Sequence, residues 1–399
     1  MTDSNKHTPS LRFPEFLNDG EWSAILLKDA INKVTPPKKL PSSEYKTDGQ
    51  FPVIDQSTNI IAGYSDDYSA LMNTQNEDYI VFGDHTCTLK LVNHPFIQGA
   101  DGIKIFRSKL DDLDTQYLYY YLLAHPILSK EYKRHFADLA EKIILFPKNL
   151  KEQIRIAKCF SSIDKQITAT RSKLEQLKEH KRGLIQRLFP ARGKTVPELR
   201  FTEFRNDGEW EIKKLRDIAT FSKGKGISKT DVTANGTTPC IRYGELYTTY
   251  KETITDVSSY TDLPVTDLFL SKANDVIIPS SGETKEDIAT ASCIIKDGIA
   301  IGGDINVIRT SNNGIFLSYY LTYVKKNDIA RIAQGVSIIH LYNEQLRDLV
   351  VELPNSIKEQ QRIADCLQSV DNVIKSYEDK ITALELHKKG LMQQLFPKL

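Results

Sequence analysis

Three residues in the second half of the chain could do chemistry if they met in space. Asp275, Glu283 and Lys285 spell D-x7-E-x-K, which superficially resembles the metal site of a nuclease. Such a match often arises by chance in a chain with 26% charged residues, and the Pro-Ser-Ser-Gly stretch at 279–282 breaks the strand that would carry Glu283 and Lys285. The pattern therefore favours a chance match over a catalytic site.

Other signatures of catalysis are missing from the sequence. It contains no phosphate-binding G-x-x-x-x-G-K-[ST] loop, no G-x-S-x-G nucleophile elbow and no Asn/Asp-Pro-Pro-aromatic motif of amino-methyltransferases. The eight histidines show no H-x-x-x-H spacing, and the Gly-Gly-Asp at 302–304 lacks the rest of a dinucleotide fingerprint. We expect a noncatalytic protein that holds no metal.

What remains are polar side chains in predicted turns, of the types that hydrogen-bond to base edges in the major groove. For each of them the alternative is an ordinary solvated turn. In the first half they are Lys38, Lys39, Gln56, Ser57, Thr58, Asn59, His85 and Thr86. In the second half they are Lys223, Lys225, Ser228, Lys229, Arg242, Tyr243, Ser280, Ser281 and Ser337.

Charge does not by itself indicate a nucleic-acid partner. The net charge is +1, and the segments 35–144 and 223–352 hold more acidic than basic residues, whereas 145–222 holds 18 basic against 10 acidic. A domain that binds DNA alone is usually more basic. Either the chain does not bind DNA, or partners supply much of the phosphate contact.

An internal repeat shows which elements position these residues. LRFPEFLNDGEW (11–22) returns as LRFTEFRNDGEW (199–210), KEQIRIAKCF (151–160) as KEQQRIADCL (358–367), and KRGLIQRLFP (181–190) as KKGLMQQLFP (388–397). The first pair is offset by 188 residues and the other two by 207. The segments between these blocks are unlike each other. The chain is therefore a constant frame that holds two different inserts, an arrangement that suggests two independent reading heads in pseudo-two-fold symmetry.

Two of the repeated blocks carry a coiled-coil seam, with apolar residues at alternating spacings of four and three. The pattern predicts helices from about Lys151 and Lys358 to the Leu-Phe-Pro at 188–190 and 395–397, where proline ends each helix. A helix of this length is a rod of ~57 Å. The seam residues are Ile156, Phe160, Ile163, Ile167, Leu174, Leu177, Leu184 and Leu188, then Ile363, Leu367, Val370, Ile374, Tyr377, Ile381, Leu384, Leu391 and Leu395.

We expect the two helices to pack on each other as an antiparallel coiled coil. The alternatives are separate helices that cover the inserts, or a seam for an outside partner. Lys181 and Lys388 occupy seam positions, where a lysine either sets the register of the pairing or faces a partner near the helix end.

The inserts alternate short β-like runs with turns and one apolar helix each, which predicts a mixed α+β fold. The expected domains are a first globular α/β domain at 1–145 with the repeated segment 11–34, and a second at 191–352 with the repeated segment 199–222. The long helices occupy 146–190 and 353–399. The 399 residues show no signal peptide or membrane span, and the five cysteines show no CxxC pairing, so we expect a cytoplasmic protein with reduced thiols and no membrane partner.

The duplicated L-R-F-x-E-F-x-N-D-G-E-W, E-Q-x-R-I-A and K-x-G-L-x-Q-x-L-F-P blocks together resemble the specificity subunit of Type I restriction–modification systems, over nearly the full length of the chain. The segments 223–247 and 333–349 look like a target-recognition domain of that family. The first insert lacks the Ala-Gln-Gly-Val-Ser and Lys-Gly-Lys-Gly stretches of the second. It therefore looks like a different class of recognition domain, and site residues do not transfer between the halves.

The resemblance implies that each insert reads one half of a bipartite, asymmetric site in double-stranded DNA, while the rod sets the spacer. It also implies two methyltransferase subunits with S-adenosylmethionine and two ATP- and Mg-dependent restriction subunits as partners, with no cofactor in this chain. A non-DNA coiled-coil assembly scaffold is the main alternative, and a self-sufficient nuclease or methyltransferase is the other.

Overall fold

The repeated blocks that carry the seam are helical and the inserts are built from short strands, as the sequence predicts. The computed structural model describes residues 7–127, 133–335 and 338–397. The chain forms two units, the first comprising Met1–Ser172 with Glu378–Leu399 and the second Lys173–Tyr377. Each long helix therefore begins in one unit and ends in the other.

The first unit contains three sheets. The strand orders are β1-β11, β2-β10-β7-β8 and β3-β9-β4-β5, with β6 also paired to β9. The strands are β1 Ser23–Leu26, β2 Ile31–Val34, β3 Lys39–Leu40, β4 Phe51–Ile54, β5 Gly63–Ser65, β6 Leu71–Met72, β7 Tyr79–Gly83, β8 Leu89–Val92, β9 Phe96–Gly99, β10 Ile103–Ser108 and β11 Ile143–Phe146. The helices are α1 Leu27–Ala30, α2 Thr115–Ala124, α3 Phe136–Ala140 and the start of α4 Leu150–Leu188.

The second unit contains four sheets. Their orders are β12-β24, β13-β22-β18-β20-β16, β14-β17-β15-β21 and β19-β23. The strands are β12 Glu211–Lys214, β13 Ala219–Lys223, β14 Val232–Thr233, β15 Thr238–Ile241, β16 Thr253–Ile254, β17 Ser259–Thr261, β18 Asp275–Pro279, β19 Ser281–Gly282, β20 Ser292–Ile294, β21 Ala300–Ile301, β22 Ile305–Thr310, β23 Ile339–His340 and β24 Val350–Leu353. The helices are α5 Glu245–Thr248, α6 Lys285–Ile288, α7 Gly314–Tyr319, α8 Lys326–Ile332, α9 Asn343–Arg347 and α10 Ile357–Leu395.

Helices α4 and α10 are 39 residues long each, and each begins one residue earlier than predicted. Asn149 and Ser356 start them, because their side chains accept hydrogen bonds from backbone N–H groups of the first turn that have no partner within the helix. Every residue of the predicted seam is buried or half-buried. Ile185, which the seam pattern missed, is also buried.

The two helices run antiparallel within each unit. In the first unit Arg171 of α4 contacts Glu385 of α10, and Lys388, further along α10, contacts Asp164, which lies earlier in α4. In the second unit Lys181 of α4 contacts Asp371 of α10. The helices therefore pair with each other, as expected, and the seam lysines have carboxylate partners inside the pairing.

The repeated Leu-Phe-Pro ends are anchors in the hydrophobic cores. In the first unit, Phe396 after α10 packs on Tyr117, Tyr121 and Phe160, with ring centroids 5.6–5.7 Å apart. In the second unit, Phe189 after α4 packs in the same way on Trp210, Phe316 and Tyr320. The hydrophobic core of each unit is thus completed by the carboxyl end of one long helix. This packing explains why the Leu-Phe-Pro sequence occurs at the end of both helices.

The repeated Glu-Gln at the start of each long helix ties the frame to the insert. Gln153 accepts a hydrogen bond from the backbone N–H of Asp114, the residue that caps α2, and donates to the carbonyl of Pro147. Gln360 does the same with Asn313, which caps α7, and with Pro354. These glutamines satisfy backbone groups that burial would otherwise leave unpaired.

The preceding glutamates form buried ion pairs with the arginines of the repeated L-R-F blocks. Arg12 contacts both oxygens of Glu152 at 2.7 Å, and Arg200 contacts those of Glu359 at 2.7 and 2.8 Å. The Glu152 and Glu359 side chains are at most 1% exposed. Two parallel hydrogen bonds to one carboxylate fix geometry as well as charge, so these pairs hold the amino-terminal block of each unit on its long helix.

Removing one partner of such a pair leaves the other charge buried and unpaired. We therefore expect Arg200→Met to lower the free energy of unfolding of the second unit by about 3–5 kcal/mol, measured by urea denaturation. Arg187→Met is the matched control, because Arg187 and Glu198 form an exposed pair whose loss costs at most about 1 kcal/mol. If both substitutions lowered the free energy of unfolding by the same amount, the buried Arg200–Glu359 pair would not have the stabilising role assigned to it.

Candidate nucleic-acid interface

The two inserts share a strand plan that their letters do not reveal. β4 pairs in parallel with β9 in the first unit, and β15 pairs in parallel with β21 in the second. The backbone N–H of Asp84, after β7, donates to the carbonyl of Gly102 at 2.7 Å, and that of Ser280, after β18, donates to the carbonyl of Asp304 at 2.8 Å. The loops after β4, after β7 and between β9 and β10 therefore correspond to those after β15, after β18 and between β21 and β22.

In the first unit these three loops bring Gln56, His85 and Thr86 together. The Thr86 hydroxyl donates to the Gln56 carbonyl at 2.7 Å. A Cβ atom placed on Gly102 would lie 3.1 Å from the Gln56 amide and 3.1 Å from the His85 ring, so both side chains pack over that glycine. Gly102 has a φ of +85°, a conformation that disfavours other residues.

This cluster leaves hydrogen-bonding capacity unused. Within the described part of the chain, the Gln56 side-chain oxygen and the Ser57 hydroxyl are buried without a hydrogen-bond partner. Close to them the buried Lys90 ammonium donates to the Asp55 carbonyl at 2.7 Å, and burial lowers the pKa of this lysine. A buried amide oxygen and hydroxyl without protein partners are suited to meet donors that a ligand brings.

The remaining candidates of the first unit lie apart from this cluster or are already paired. Lys38 and Lys39 are exposed, and they form ion pairs with Asp67 at 2.8 Å and Asp101 at 2.9 Å. Asp101 precedes Gly102, so Lys39 borders the cluster. Thr58 and Asn59 are exposed in the loop that follows Gln56.

In the second unit two of the corresponding loops, those after β15 and between β21 and β22, surround a cleft of about 450 Å³ together with the loop after β13. We call it the glycine cleft, and it is lined by Gly226, Ile227, Ser228, Arg242, Tyr243, Gly302, Gly303 and Asp304. In the described residues the Arg242 guanidinium has no ion-pair or hydrogen-bond partner. The exposed Lys223 and Lys225 precede Gly226, and the Lys223 ammonium lies 4.0 Å from Asp304. The cleft is open, mainly basic and floored by backbone.

The glycines explain how backbone can form that floor. A Cβ atom on Gly224 would lie 2.0 Å from the Gly302 carbonyl oxygen, so only glycine allows the loop after β13 to cross this point. A Cβ atom on Gly303 would lie 3.2 Å from the Cα atom of Gly226, so these two glycines pack closely. Gly226 itself faces open space, with nothing within 4 Å of a Cβ atom.

The other candidates of the second unit differ in their surroundings: in the described residues the buried Ser280 hydroxyl has no hydrogen-bond partner, whereas the Ser228 and Ser281 hydroxyls each have one. The Ser228 hydroxyl contacts Asp231 at 2.6 Å and caps a short turn, and the exposed Lys229 follows it. Ser280 is buried, and the Ser281 hydroxyl lies 3.3 Å from the His340 ring nitrogen. Ser337 lies outside the described residues.

The D-x7-E-x-K residues do not converge. Arg309 binds both carboxylate oxygens of Asp275 at 2.7 Å, at the start of β18. Glu283 lies beyond the other end of that strand, whose five residues span ~13 Å from first to last. In the part of the chain that the structure describes, no group of three acidic, histidine or cysteine side chains is placed to hold a metal ion. No helix among the described residues is long and apolar enough to cross a membrane.

Sequence reasoning missed several residues that build these sites. The cleft is lined by Gly226, Gly302, Gly303 and Asp304. In the sequence, the Gly-Gly-Asp at 302–304 indicated only an incomplete dinucleotide-binding motif. The repeated Gly-Lys pattern at 223–226 was the available signal, because alternating glycines in a basic loop are typical of close backbone approach.

Two unlike polar sites on one strand plan, each carried by a copy of the same helical frame, define a class: a duplicated protein in which a shared frame holds two different inserts. The family model described as "Type I restriction modification DNA specificity domain" matches residues 20–179 and again residues 207–386. The chain belongs to that family.

The relatives match between 62% and 98% of the chain. The Type I restriction enzyme MjaVIII specificity subunit of Methanocaldococcus jannaschii is 22% identical, and the match covers 98% of this chain and 94% of that protein. The putative MjaX specificity subunit of the same organism is 25% identical over 62% of this chain and 56% of its own length. The fold matches a crystal structure of the S subunit from M. genitalium with a TM-score of 0.69 at 17% identity, covering 98% of this chain and 100% of the other. A structure described in terms of complex assembly of the type I R-M system matches with a TM-score of 0.52 at 14% identity, over 94% of this chain and 97% of the other.

The two glycines of the Lys-Gly-Lys-Gly stretch should tolerate substitution very differently. We expect Gly224→Ala to lower the melting temperature of the second unit markedly, because its methyl group would overlap backbone oxygens that cannot easily move. Gly226→Ala should leave the melting temperature within about a degree, since it faces open space. Differential scanning calorimetry of the two variants checks this, and similar melting temperatures would contradict the close crossing.

Proposed function

We propose that each unit reads one half of a split, asymmetric sequence in double-stranded DNA, and that the helical frame sets the unread spacer between the halves. The single observation that carries this proposal is the correspondence of the loops. Loops at corresponding positions present an amide, a hydroxyl and an imidazole in one unit, and a guanidinium, a phenol and bare backbone in the other. A shared scaffold with different hydrogen-bonding groups is what two different half-sites require.

The chemistry of these side chains suits base edges. An arginine in an open cleft can donate two hydrogen bonds to O6 and N7 of guanine, and a glutamine can pair with N6 and N7 of adenine. Arg242 and Gln56 are the residues of these types at corresponding loops. Backbone at the floor of the glycine cleft lets a DNA strand approach without a side chain in between.

The modest charge of the inserts supports the proposal that partner subunits supply much of the contact with DNA phosphates. Phosphate contacts dominate the affinity of most DNA-binding proteins, and neither insert carries a basic surplus. Partner subunits that clamp the phosphates would leave these inserts to read mainly bases. We infer that this chain is noncatalytic and works with two methyltransferase subunits, which bring S-adenosylmethionine, and with two restriction subunits, which bring ATP and Mg.

Duplicated apolar residues offer a place for two copies of one partner. Ile143 and Leu150 are 47% and 38% exposed in the first unit. Val350 and Ile357, their counterparts at an offset of 207 residues, are 41% and 48% exposed in the second. Large apolar side chains exposed at equivalent frame positions indicate an interaction surface, and its duplication fits a methyltransferase subunit bound to each unit.

The decisive experiment is co-expression with the neighbouring methyltransferase subunit, followed by mapping of methylated adenines by long-read sequencing. We expect one bipartite motif with methylation in both halves. Replacement of residues 35–144 by another recognition domain should change one half only. A stable complex without any motif would favour the assembly scaffold, and methylation by the purified chain alone would favour a self-sufficient enzyme.

A point substitution should relax one half-site. Loss of the Arg242 guanidinium should cost about 1–3 kcal/mol of discrimination at the base it contacts, because a bidentate contact is lost. We therefore expect Arg242→Ala to degrade one half of the methylation motif and to leave the other unchanged. Lys296→Ala is the control, because Lys296 is an exposed cation that follows β20 on the Asp275 side of the sheet and pairs with Asp256. A motif that loosens in both halves would contradict the modular assignment.

Replacing the exposed apolar residues of one unit by aspartate should release the methyltransferase subunit bound to that unit and leave the other subunit bound. The double substitution Ile143→Asp with Leu150→Asp should reduce the complex from two methyltransferase subunits to one, as counted by native mass spectrometry. Val350→Asp with Ile357→Asp should remove the other. Val265→Asp, at a 56% exposed residue of the second insert, should leave both bound. Retention of two subunits in both double variants would place the docking surface elsewhere.

A further inference from the structure

One further loop of each unit is bonded to the loops of the polar site, and the proposed function has not used it. It precedes α3 in the first unit (residues 133–135) and α9 in the second (residues 338–342), and we call it the helix-entry loop. The two helices are equivalent, because Phe136 begins α3 and Asn343 begins α9 at the offset of 207 residues that also relates β11 to β24. At that offset the loops are unlike, since Lys-Arg-His stands against His-Leu-Tyr.

In the first unit the helix-entry loop is bonded to the loop after β7, which carries His85. The backbone N–H groups of His135 and Phe136 donate to the carbonyl and the carboxylate of Asp84, at 2.8 and 2.7 Å. The His85 ring nitrogen donates to the Lys133 carbonyl at 3.2 Å. These bonds place the helix-entry loop beside the polar cluster of that unit.

Arg134 is the exposed side chain at the centre of this loop. It lies close to the loop between β9 and β10. Lys39 donates a hydrogen bond to Asp101 of that loop and Arg134 adds its charge, and together they lower the pKa of the Asp101 carboxyl. Asp101 directly precedes Gly102, over which the cluster packs. A guanidinium at this border adds donors that can reach a base edge.

In the second unit the helix-entry loop makes the corresponding bond and two more. The Leu341 N–H donates to the carbonyl of Ser280, after β18, at 3.0 Å, and the Asn306 side chain donates to the Leu341 carbonyl at 2.8 Å. Asn343, which follows the loop, donates from its side chain to the Ser222 carbonyl at 3.0 Å, directly before the basic residues at 223–225. The helix-entry loop therefore borders the loop that carries the lysines of the glycine cleft.

Two aromatic side chains of this loop are stacked on each other. The rings of His340 and Tyr342 have centroids 6.0 Å apart and planes inclined by 19°. The Ser281 hydroxyl lies 3.3 Å from Nδ1 of His340, which orients the imidazole, and Tyr342 is 50% exposed. Nearby, in the described residues, the Ser280 hydroxyl and the Asn343 side-chain oxygen are buried without a hydrogen-bond partner. An oriented, exposed phenol beside unused polar groups is suited to contact a ligand that brings hydrogen-bonding edges.

We propose that the helix-entry loop is a further reading element of each unit. Arg134 contacts a base of the first half-site, and Tyr342 contacts a base of the second through its hydroxyl. His340 is a positioning residue that orients Tyr342 by the stack. This inference rests on the proposed function, that each unit reads one half of a split DNA site.

The chemistry of the two loops favours a contact with bases over a contact with phosphates. A phosphate is the same in every sequence, so a loop that bound phosphate would call for a similar cationic group in both units. Equivalent loops instead present a guanidinium in one unit and a phenol with an imidazole in the other. The helix-entry loops thus differ in chemistry at equivalent positions, as the other loops of the two sites do.

Substitutions in the second unit test this in the complex with the methyltransferase subunit, with the methylation motif as the readout. We expect Tyr342→Phe to relax one base position of the second half-site, with discrimination there reduced about tenfold. His340→Ala should relax the same position, and His340→Phe, which keeps a ring for the stack, should retain the wild-type motif. Tyr323→Phe is the matched control, because Tyr323 is 43% exposed in the same unit and its hydroxyl donates to Glu252.

Arg134→Ala tests the first unit in the same assay. We expect it to relax one base position of the first half-site and to leave the second half-site unchanged. Arg155→Ala is the matched control, because the Arg155 side chain is 58% exposed but lies on α4 and pairs with Glu15 at 3.7 Å. The control should leave both halves unchanged. Melting temperatures equal to that of the wild-type complex show that each variant is folded.

The outcomes separate this inference from the proposed function. A wild-type complex that yields no bipartite motif refutes the proposed function, and this inference falls with it. A bipartite motif that Tyr342→Phe and Arg134→Ala both leave unchanged refutes this inference alone. A uniform loss of methylation at every site, with the motif intact, would show that the loops contact phosphates and would also overturn it.

Discussion

The pairing of α4 with α10 is the constraint on which the rest of the structure depends. Each helix carries an apolar stripe that must be removed from water, and in each unit the other helix covers it. The same helices carry Phe189 and Phe396 at their carboxyl ends, which complete the aromatic cores of the inserts. A unit without the end of the partner helix would expose both a seam and a core. Folding of the inserts and pairing of the helices are therefore one event.

The polar groups of the frame and those of the inserts are used differently. In the frame, Arg12 satisfies Glu152, and Gln153 satisfies the backbone around the cap of α2, and the second unit repeats both arrangements. These side chains make all their contacts within the protein and hold the fold together. The same residue types therefore occur in both copies. At the loop ends, the Gln56 side-chain oxygen and the Arg242 guanidinium keep capacity for other partners. The polar groups that repeat in both copies of the frame therefore serve the fold, whereas the polar groups of the loops differ between the two units.

The sequence predicted the helices accurately for a physical reason. Heptad spacing, capping residues and terminal prolines are local signals, so Leu150–Leu188 and Ile357–Leu395 could be located within a residue or two. The strands were also located, because runs such as those at β7 and β18 are apolar and bounded by turns. The common strand plan of the two inserts could not be predicted. It depends on pairings such as β4 with β9, between segments more than forty residues apart that share few letters.

The sequence by itself determined the repeat, the two long helices with their seam, the mixed α+β inserts and the family, because these follow from periodicity and from letters that recur in order. The tertiary structure alone decided which polar residues share a site. Gln56 meets His85 and Gly102 because three strand ends converge, and Lys181 meets Asp371 because two helices run in opposite directions. The spacing of residues along the sequence does not predict these contacts. Once the chain folds back on itself, residues far apart in sequence can lie side by side.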